Sequence, residues 1–275
     1  MKKILVPTDF STGSEEALKV AAQLAKNFKS ELHVLHMIEL PYNTTVDALN
    51  DASELPEAMF FMKLAHQNFK TFLNKDYLTG VEVRETIQNN DAFEGIIDSA
   101  HKMDIDLIVM GSRGASGIKE IIIGSNTEKV VRTSDIPVLV IKKEESNFKI
   151  KDVVFACEFT DEYKQSFLKA ISFANLSNAT LHLLMVNTPS SFMTTSNAEE
   201  RMNFFLQDVN IGEYTLNIYN DLSVEKGILN FGNSINADVI AMSTHGRQGL
   251  SHFFNGSISE DLVNHSKRPV VTFKI

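Results

Sequence analysis

Short apolar runs alternate along the chain with stretches of helical periodicity, the pattern of successive βαβ units around a parallel sheet. Residues 2–7 read as a first strand. A helix follows over 12–27, where Ala17, Leu18, Ala21, Leu24 and Ala25 fall on one face. The pattern then predicts a strand at 31–37, a helix at about 57–78 and a strand at 81–87. Next come a helix at 91–102, a strand at 106–110, a helix at 125–134 and a last strand at 137–142. Leu107-Ile108-Val109-Met110 is apolar without alternation, as suits a strand covered on both faces.

After that the pattern begins again. Ile4-Leu5-Val6-Pro7-Thr8-Asp9-Phe10-Ser11 reappears as Val153-Val154-Phe155-Ala156-Cys157-Glu158-Phe159-Thr160, each a strand ending in an acidic residue, an aromatic and a hydroxyl. Leu32-His33-Val34-Leu35 matches Leu181-His182-Leu183-Leu184 at the same offset of 149. Asp106-Leu107-Ile108-Val109-Met110 matches Asp238-Val239-Ile240-Ala241-Met242, and Ile136-Pro137-Val138 matches Arg268-Pro269-Val270, both at an offset of 132. Unrelated domains would not match in one order at only two offsets, so the chain is an internal duplication. The fall in offset means that the second copy lacks 17 residues between its second strand and third helix. The polar stretch from Pro41 to Glu57 reads as the loop that holds the surplus. Glu144-Glu145-Ser146-Asn147 is a short polar connector. The expected organisation is α/β, with two tandem open five-stranded parallel sheets, Rossmann-like, over residues 1–143 and 150–275.

In an open parallel sheet a ligand sits beyond the carboxyl ends of the strands, and glycines gather at one such end. The strand 106–110 runs into Gly111-Ser112-Arg113-Gly114, and nine residues later Gly124-Ser125-Asn126-Thr127 opens a helix. Glycines let the backbone approach an anion and adopt positive φ. The helix start offers unpaired amides and the positive end of its dipole, and Ser125 and Thr127 add hydroxyls for a phosphate or a divalent ion. A plainer reading stands beside this one. Ser125-Asn126-Thr127-Glu128 is also a capping box, as is Ser257-Ile258-Ser259-Glu260, and Gly111 and Gly114 would serve a tight turn. Neither a Walker A loop nor a G-x-G-x-x-G fingerprint is present, which argues against a generic ATPase or a dehydrogenase.

Gly111-x2-Gly114-x9-Gly124-Ser125, together with Val6-Pro7-Thr8-Asp9-Phe10-Ser11 and Pro137-Val138-Leu139-Val140-Ile141, resembles the universal stress protein family. The likeness covers both copies, as in the tandem members of that family. It implies an adenine nucleotide alpha hydrolase-like fold in each copy, with the copies packed as an internal pseudo-dimer through the last strands, 137–142 and 269–274. The spacing implies the ATP-binding branch. By that likeness Pro7, Thr8 and Asp9 face the adenosine, and the backbone of Met37 reads adenine. Gly111, Arg113, Gly114, Gly124, Ser125, Asn126 and Thr127 surround the ribose and phosphates, with Mg2+ as an optional companion. Asp9 equally reads as a cap on the following helix, and Arg113 as a solvated surface charge.

The second copy departs from this pattern. Its loop runs Ser243-Thr244-His245-Gly246, then nine residues, then Gly256-Ser257. If the position of Ser243 needs left-handed geometry, a non-glycine residue there costs roughly 1–2 kcal/mol; if not, serine is harmless. Glu158 stands in for Asp9 with a longer side chain that would intrude on the adenosine, and Ala156 replaces Pro7. The second site is expected to be weak or empty. His245 is expected to pack or hydrogen-bond within its loop rather than to catalyse.

Composition narrows the function further. A net charge of -9 argues against nucleic acid as a partner, although backbone amides can still hold a small anion. Cys157 is the single cysteine, which rules out an internal disulfide and suits a reducing, cytoplasmic setting. Met1 to Val6 imitates a signal peptide, but the apolar run stops at Pro7, and no stretch approaches the ~18 apolar residues of a membrane span. The eight histidines do not cluster with cysteine or acidic residues at metal-ligand spacings. The loop offers one arginine and no P-loop lysine for phosphoryl transfer. The expected function is an ATP-binding stress-response or signalling protein. Nucleotide occupancy would bias loop conformation, with 41–57 as the moving part, and contacts with an unidentified protein partner or a second copy of the chain. The alternatives are a slow Mg-dependent ATP hydrolase or adenylyl-type transferase, and a nucleotide-free interaction scaffold.

Overall fold

Ile4, Leu5 and Val6 are fully buried because β1 (Lys3–Pro7) is flanked on both sides. It pairs in parallel with β2 (Glu31–Ile38) and with β4 (Leu107–Gly111). The computed structural model describes residues 1–38, 55–112, 123–244 and 257–275. In the first half, β3 (Val83–Asn89) lies outside β2, and β5 (Val138–Ile141) lies beside β4. The intervening helices are α1 (Thr12–Phe28), α2 (Leu55–Phe72), α3 (Ala92–Lys102) and α4 (Ser125–Thr133). The second half repeats them: β6 (Asp152–Ala156), α5 (Lys164–Leu176), β7 (Thr180–Asn187), α6 (Thr195–Phe205), β8 (Tyr214–Asn220), α7 (Val224–Ser234), β9 (Val239–Thr244), α8 (Ser257–His265) and β10 (Val270–Lys274).

All ten strands form one sheet in the order β3-β2-β1-β4-β5-β10-β9-β6-β7-β8. Every neighbouring pair is parallel except β5 and β10, which run antiparallel with Val270 opposite Val140 and Val271 opposite Leu139. The last strands therefore join the two copies as a pseudo-dimer, as the family resemblance implies. One apolar layer lies between the sheet and α1, α2, α5 and α6. A second lies between the sheet and α3, α4, α7 and α8. The predicted apolar face of α1 is buried throughout, from Ala17 to Ala25. Across the junction, the Ile123 amide donates to Asn264 of α8 (2.9 Å), and Lys274 of β10 to the Thr133 carbonyl (3.2 Å).

The backbone carries the duplication as clearly as the side chains do. Left-handed residues recur at Phe10 and Phe159 (φ 61 and 56), at Lys29 and Asn178 (55 and 51), and at Asp104 and Asn236 (52 and 54). Each such position costs roughly 1–2 kcal/mol for a residue with a side chain, so its repetition marks retained geometry rather than chance.

Two expectations change. The helix predicted over 57–78 ends at Phe72, and a separate 3-10 turn covers Asp76–Leu78. The surplus of the first copy is not all loop. Leu55 to Glu57 belongs to α2, which has 18 residues against 11 in α6. The remainder of the predicted 41–57 loop lies outside the described residues.

Candidate functional site

A cavity of about 280 Å³ opens at the carboxyl ends of β1, β2 and β4. Pro7, Thr8, Asp9, Met37, Gly111, Gly124, Ser125, Asn126 and Thr127 all line it. Arg113 and Gly114, the other expected site residues, lie outside the described residues. Leu35, Ile96 and Met110 give the cavity an apolar floor, and Ser14, His36 and Ala92 complete its wall. Sequence reasoning missed these six, because a floor residue differs from any other buried apolar residue only through the neighbours that the fold supplies.

The turn after β1 is held by its own side chains. Thr8 donates its amide to the Leu35 carbonyl (2.8 Å), and its hydroxyl accepts from the Phe10 amide (2.9 Å) and meets Ser14 Oγ at 3.0 Å. That hydroxyl fixes the left-handed Phe10, whose ring lies against His36, Phe69 and Phe72 at centroid distances of 4.4, 5.0 and 5.5 Å. Asp9 Oδ1 accepts from the amide (3.1 Å) and hydroxyl (2.5 Å) of Ser11. Ser11 in turn caps α1 by accepting from the Ser14 amide. The cap is Ser11, and Asp9 orients it while its exposed carboxylate faces the cavity. His36 Nδ1 lies 2.8 Å from the Thr8 carbonyl. A carbonyl only accepts, so Nδ1 carries a proton and donates it. His33, the other histidine of β2, lies 3.3 Å from Glu31 and does not line the cavity.

The glycines act differently from the expectation of positive φ. Among the described glycines only Gly80 has positive φ. A Cβ on Gly111 would lie 2.4 Å from the Gly13 carbonyl oxygen and 2.6 Å from its carbon. Gly111 is therefore required by the close approach of α1 to β4. Gly124 is the N-cap of α4, with φ -60 and ψ 139, and among the described residues no side chain caps that helix. Ser125 is the first residue inside the helix, so the expected capping box does not form. The amides of Ser125, Asn126 and Thr127 find no acceptor among the described residues, whereas α1, α3, α6 and α7 are capped by Ser11, Asp91, Thr194 and Ser223. The Thr127 hydroxyl donates to the Gly111 carbonyl (3.0 Å), which ties α4 to β4 instead of reaching outward. An apolar floor, an exposed carboxylate and an uncapped helix start with its positive dipole end suit a ligand with a flat apolar part and an anionic tail.

The second half closes this space. Its equivalent cavity is about 160 Å³, lined by Ala156, Cys157, Glu158, Leu184, Met185 and Val186 among others. Asn187 donates its side-chain amide to the Met193 carbonyl (3.0 Å), which brings Ser191 and Met193 into the wall. The Cys157 thiol is buried, and desolvation raises its pKa far above the ordinary range, so it is not a nucleophile at neutral pH. Ser243 is harmless, because neither it nor Gly111 has positive φ. Here α5 starts only after a 3-10 turn (Asp161–Tyr163), and the Ser243 hydroxyl meets Ser166 Oγ at 2.7 Å. His245, Gly246 and Gly256 lie outside the described residues, and Ser257 opens α8. Both halves share a further close approach. A Cβ on Gly95 would meet Met37 Cε at 1.9 Å, and one on Gly227 would meet Val186 Cγ1 at 2.4 Å.

Among the described residues no group of three His, Cys, Asp or Glu side chains could hold a metal, and no helix is long and apolar enough to cross a membrane.

Comparison with known proteins fits this geometry. Residues 1–142 and 221–274 match the Universal stress protein family. The intervening stretch contains Glu158, Met193 and α6, where the second cavity departs from the first. Universal stress protein MJ0531 of Methanocaldococcus jannaschii is 32% identical over 150 residues, covering 52% of this chain and 82% of that protein. Universal stress protein Slr1230 of Synechocystis is 23% identical over 300 residues, with 100% of both chains covered. The crystal structure of a universal stress protein from Archaeoglobus fulgidus superposes with a TM-score of 0.69 at 25% identity, over 99% of this chain and 98% of its own. A family match in both halves, a relative alike from end to end and a shared fold over nearly the whole chain lead to one conclusion: this chain is a tandem member of the universal stress protein family.

Proposed function

We propose that the chain is an ATP-binding stress-response protein of the cytoplasm that signals through nucleotide occupancy of its first half. Residues 1–143 would be the nucleotide-carrying unit and 150–275 its altered partner. The observation that carries this reading is the start of α4, whose first three amides find no acceptor among the described residues and line a cavity with an apolar floor. Adenine would lie over Leu35, Ile96 and Met110, near the Met37 backbone, with Asp9 beside the ribose. The phosphates would take the amides of Ser125, Asn126 and Thr127, and Mg2+ would ride on phosphate oxygens. The Thr127 hydroxyl stays on Gly111. In the second half the smaller cavity, walled by Met193 and Glu158, favours no nucleotide, so occupancy is near one per chain.

Two measurements test this. Freshly purified protein is denatured and its supernatant assayed for adenine nucleotide, and the nucleotide-free protein is titrated with ATP. The substitution Ser125→Asp supplies the discriminating arm. A carboxylate in the first turn favours the helix by about 0.3–1 kcal/mol yet repels a phosphate tail. Stability that holds while ATP affinity collapses supports the proposal. Equal affinity in the variant, or no ATP binding in either protein, sinks it.

A further inference from the structure

A second cavity, of about 410 Å³, opens where the connector passes from one half to the other. Because β5 and β10 run antiparallel, the carboxyl end of β5 shares a rim of the sheet with the amino ends of β10, β9 and β6. The candidate nucleotide cavity opens on that same rim, beside β4. Two strand spacings of about 4.8 Å separate β4 from β10 along that rim.

The walls of this cavity are basic. Lys143, Lys149, Lys151, Lys267 and Arg268 line it against only Glu145 and Asp238, in a chain of net charge -9. Asp238 already accepts from the amides of Lys151 (2.7 Å) and Asp152 (3.1 Å). Glu145 lies 3.8 Å from Lys143. Arg268 closes the end of α7, donating to the Ala237 carbonyl and to the side-chain oxygens of Asn233 and Asn236. Lys149, Lys151 and Lys267 are exposed and form no ion pair among the described residues. The wall that carries them is anchored: the Phe148 amide donates to Gln23 Oε1 (2.7 Å), and Gln23 Nε2 to the Glu145 carbonyl (2.9 Å). Like charges gathered in a concavity concentrate counter-ions there, and their mutual repulsion is relieved when one binds.

We propose that this cavity binds a short phosphate-chain anion, separately from the nucleotide cavity. Lysine ammonium groups act as point charges that suit tetrahedral oxygens, while the one guanidinium, which could fork a carboxylate, is already engaged. The volume lies within the roughly 300–1,000 Å³ of small-molecule sites. Its apolar lining is limited to Phe148, Ala237 and Pro269, too little to hold a base as well.

The test is calorimetric titration of the full chain with sodium tripolyphosphate at a fixed ionic strength of about 0.15 M. The parent protein is compared with the double variants Lys149→Glu/Lys267→Glu and Lys149→Gln/Lys267→Gln, whose melting curves establish that they fold. The parent should show saturable binding, weakened about tenfold or more in the charge-reversed variant and less in the neutral one. Citrate, a trianion without phosphorus, should bind far more weakly than tripolyphosphate. Three results would overturn the proposal: no saturable binding, citrate binding as tight as tripolyphosphate, or unchanged affinity in the variants. The last of these would assign the anion to the start of α4.

Discussion

Replacing Gly111 by alanine should destabilise the protein whether or not nucleotide is bound. The added Cβ would sit 2.4 Å from the Gly13 oxygen and 2.6 Å from its carbon, about 1 Å inside an ordinary contact of about 3.5 Å. Both obstructing atoms are backbone, so no side chain can rotate away, and the start of α1 must move from β4. Overpacking of this kind costs about 1–3 kcal/mol, and the rigid neighbours argue for the upper half of that range. At about 2–4 °C per kcal/mol for a protein of this size, the melting temperature should fall by about 4–12 °C. The assay is a pair of thermal melts on nucleotide-free protein, parent against Gly111→Ala, followed by circular dichroism. Ser243→Gly gives the contrast: it removes one buried hydroxyl pair with Ser166 and should lose only about 1 kcal/mol. If Gly111→Ala melts within a degree of the parent, the steric account of this glycine is wrong. A loss seen only with ATP present would mean that Gly111 serves the ligand instead.

Four further outcomes follow from the same geometry. Gly95→Ala should change stability little, since the obstructing atom is the mobile tip of Met37 and alanine favours the helix by up to about 1 kcal/mol; Met37 must shift in the cavity wall, so ATP affinity measured by titration should drop. Gly227→Ala meets the stiff, β-branched Val186 and should lose about 1–3 kcal/mol on urea denaturation, and equal effects at the two glycines would refute the distinction. Phe10→Gly relieves a left-handed side chain but strips a ring from His36, Phe69 and Phe72, for a net loss of about 2 kcal/mol; a stabilised variant would show that strain outweighs packing. Finally, burial holds His33 below its ordinary value of 6.5, against the pull of Glu31 and with help from Lys3 and Arg84. The unfolded chain takes up the proton first, so this contribution is complete above pH 6.5 and declines as the pH falls toward the lowered native value. Melting temperature should therefore fall with acidification over that interval, and His33→Gln should flatten the slope; an unchanged slope would assign it to other groups.

What could be read from the sequence divides along the range of the interaction. The apolar face of α1 and the unbroken run in β4 declare themselves within a few residues. The duplication is legible because matched segments keep their spacing, and it extends to the left-handed Phe10 and Phe159, whose geometry no propensity suggests. Most of the cavity wall was visible as glycines and hydroxyls near strand ends. The reasons behind those residues were not. Gly111 answers to Gly13, far away in the chain, and the Thr127 hydroxyl answers to the Gly111 carbonyl. Ser125 reads as a cap until the backbone places Gly124 there. His36 was not assigned to the site, since only the pairing of β1 with β2 brings the Thr8 carbonyl to its ring.

The antiparallel meeting of β5 and β10 also bears on how the two copies could be separated. All four residues of β5 are buried, and cutting the chain at the connector would expose that strand as a bare, apolar edge, the kind that recruits another strand. A half expressed alone should pair with itself, β5 on β5, and come apart on dilution. In the intact chain the tether holds the partner edge at a high effective concentration however dilute the protein. The two copies are thereby free to diverge, because a change on one no longer has to suit its own mirror image across the joint.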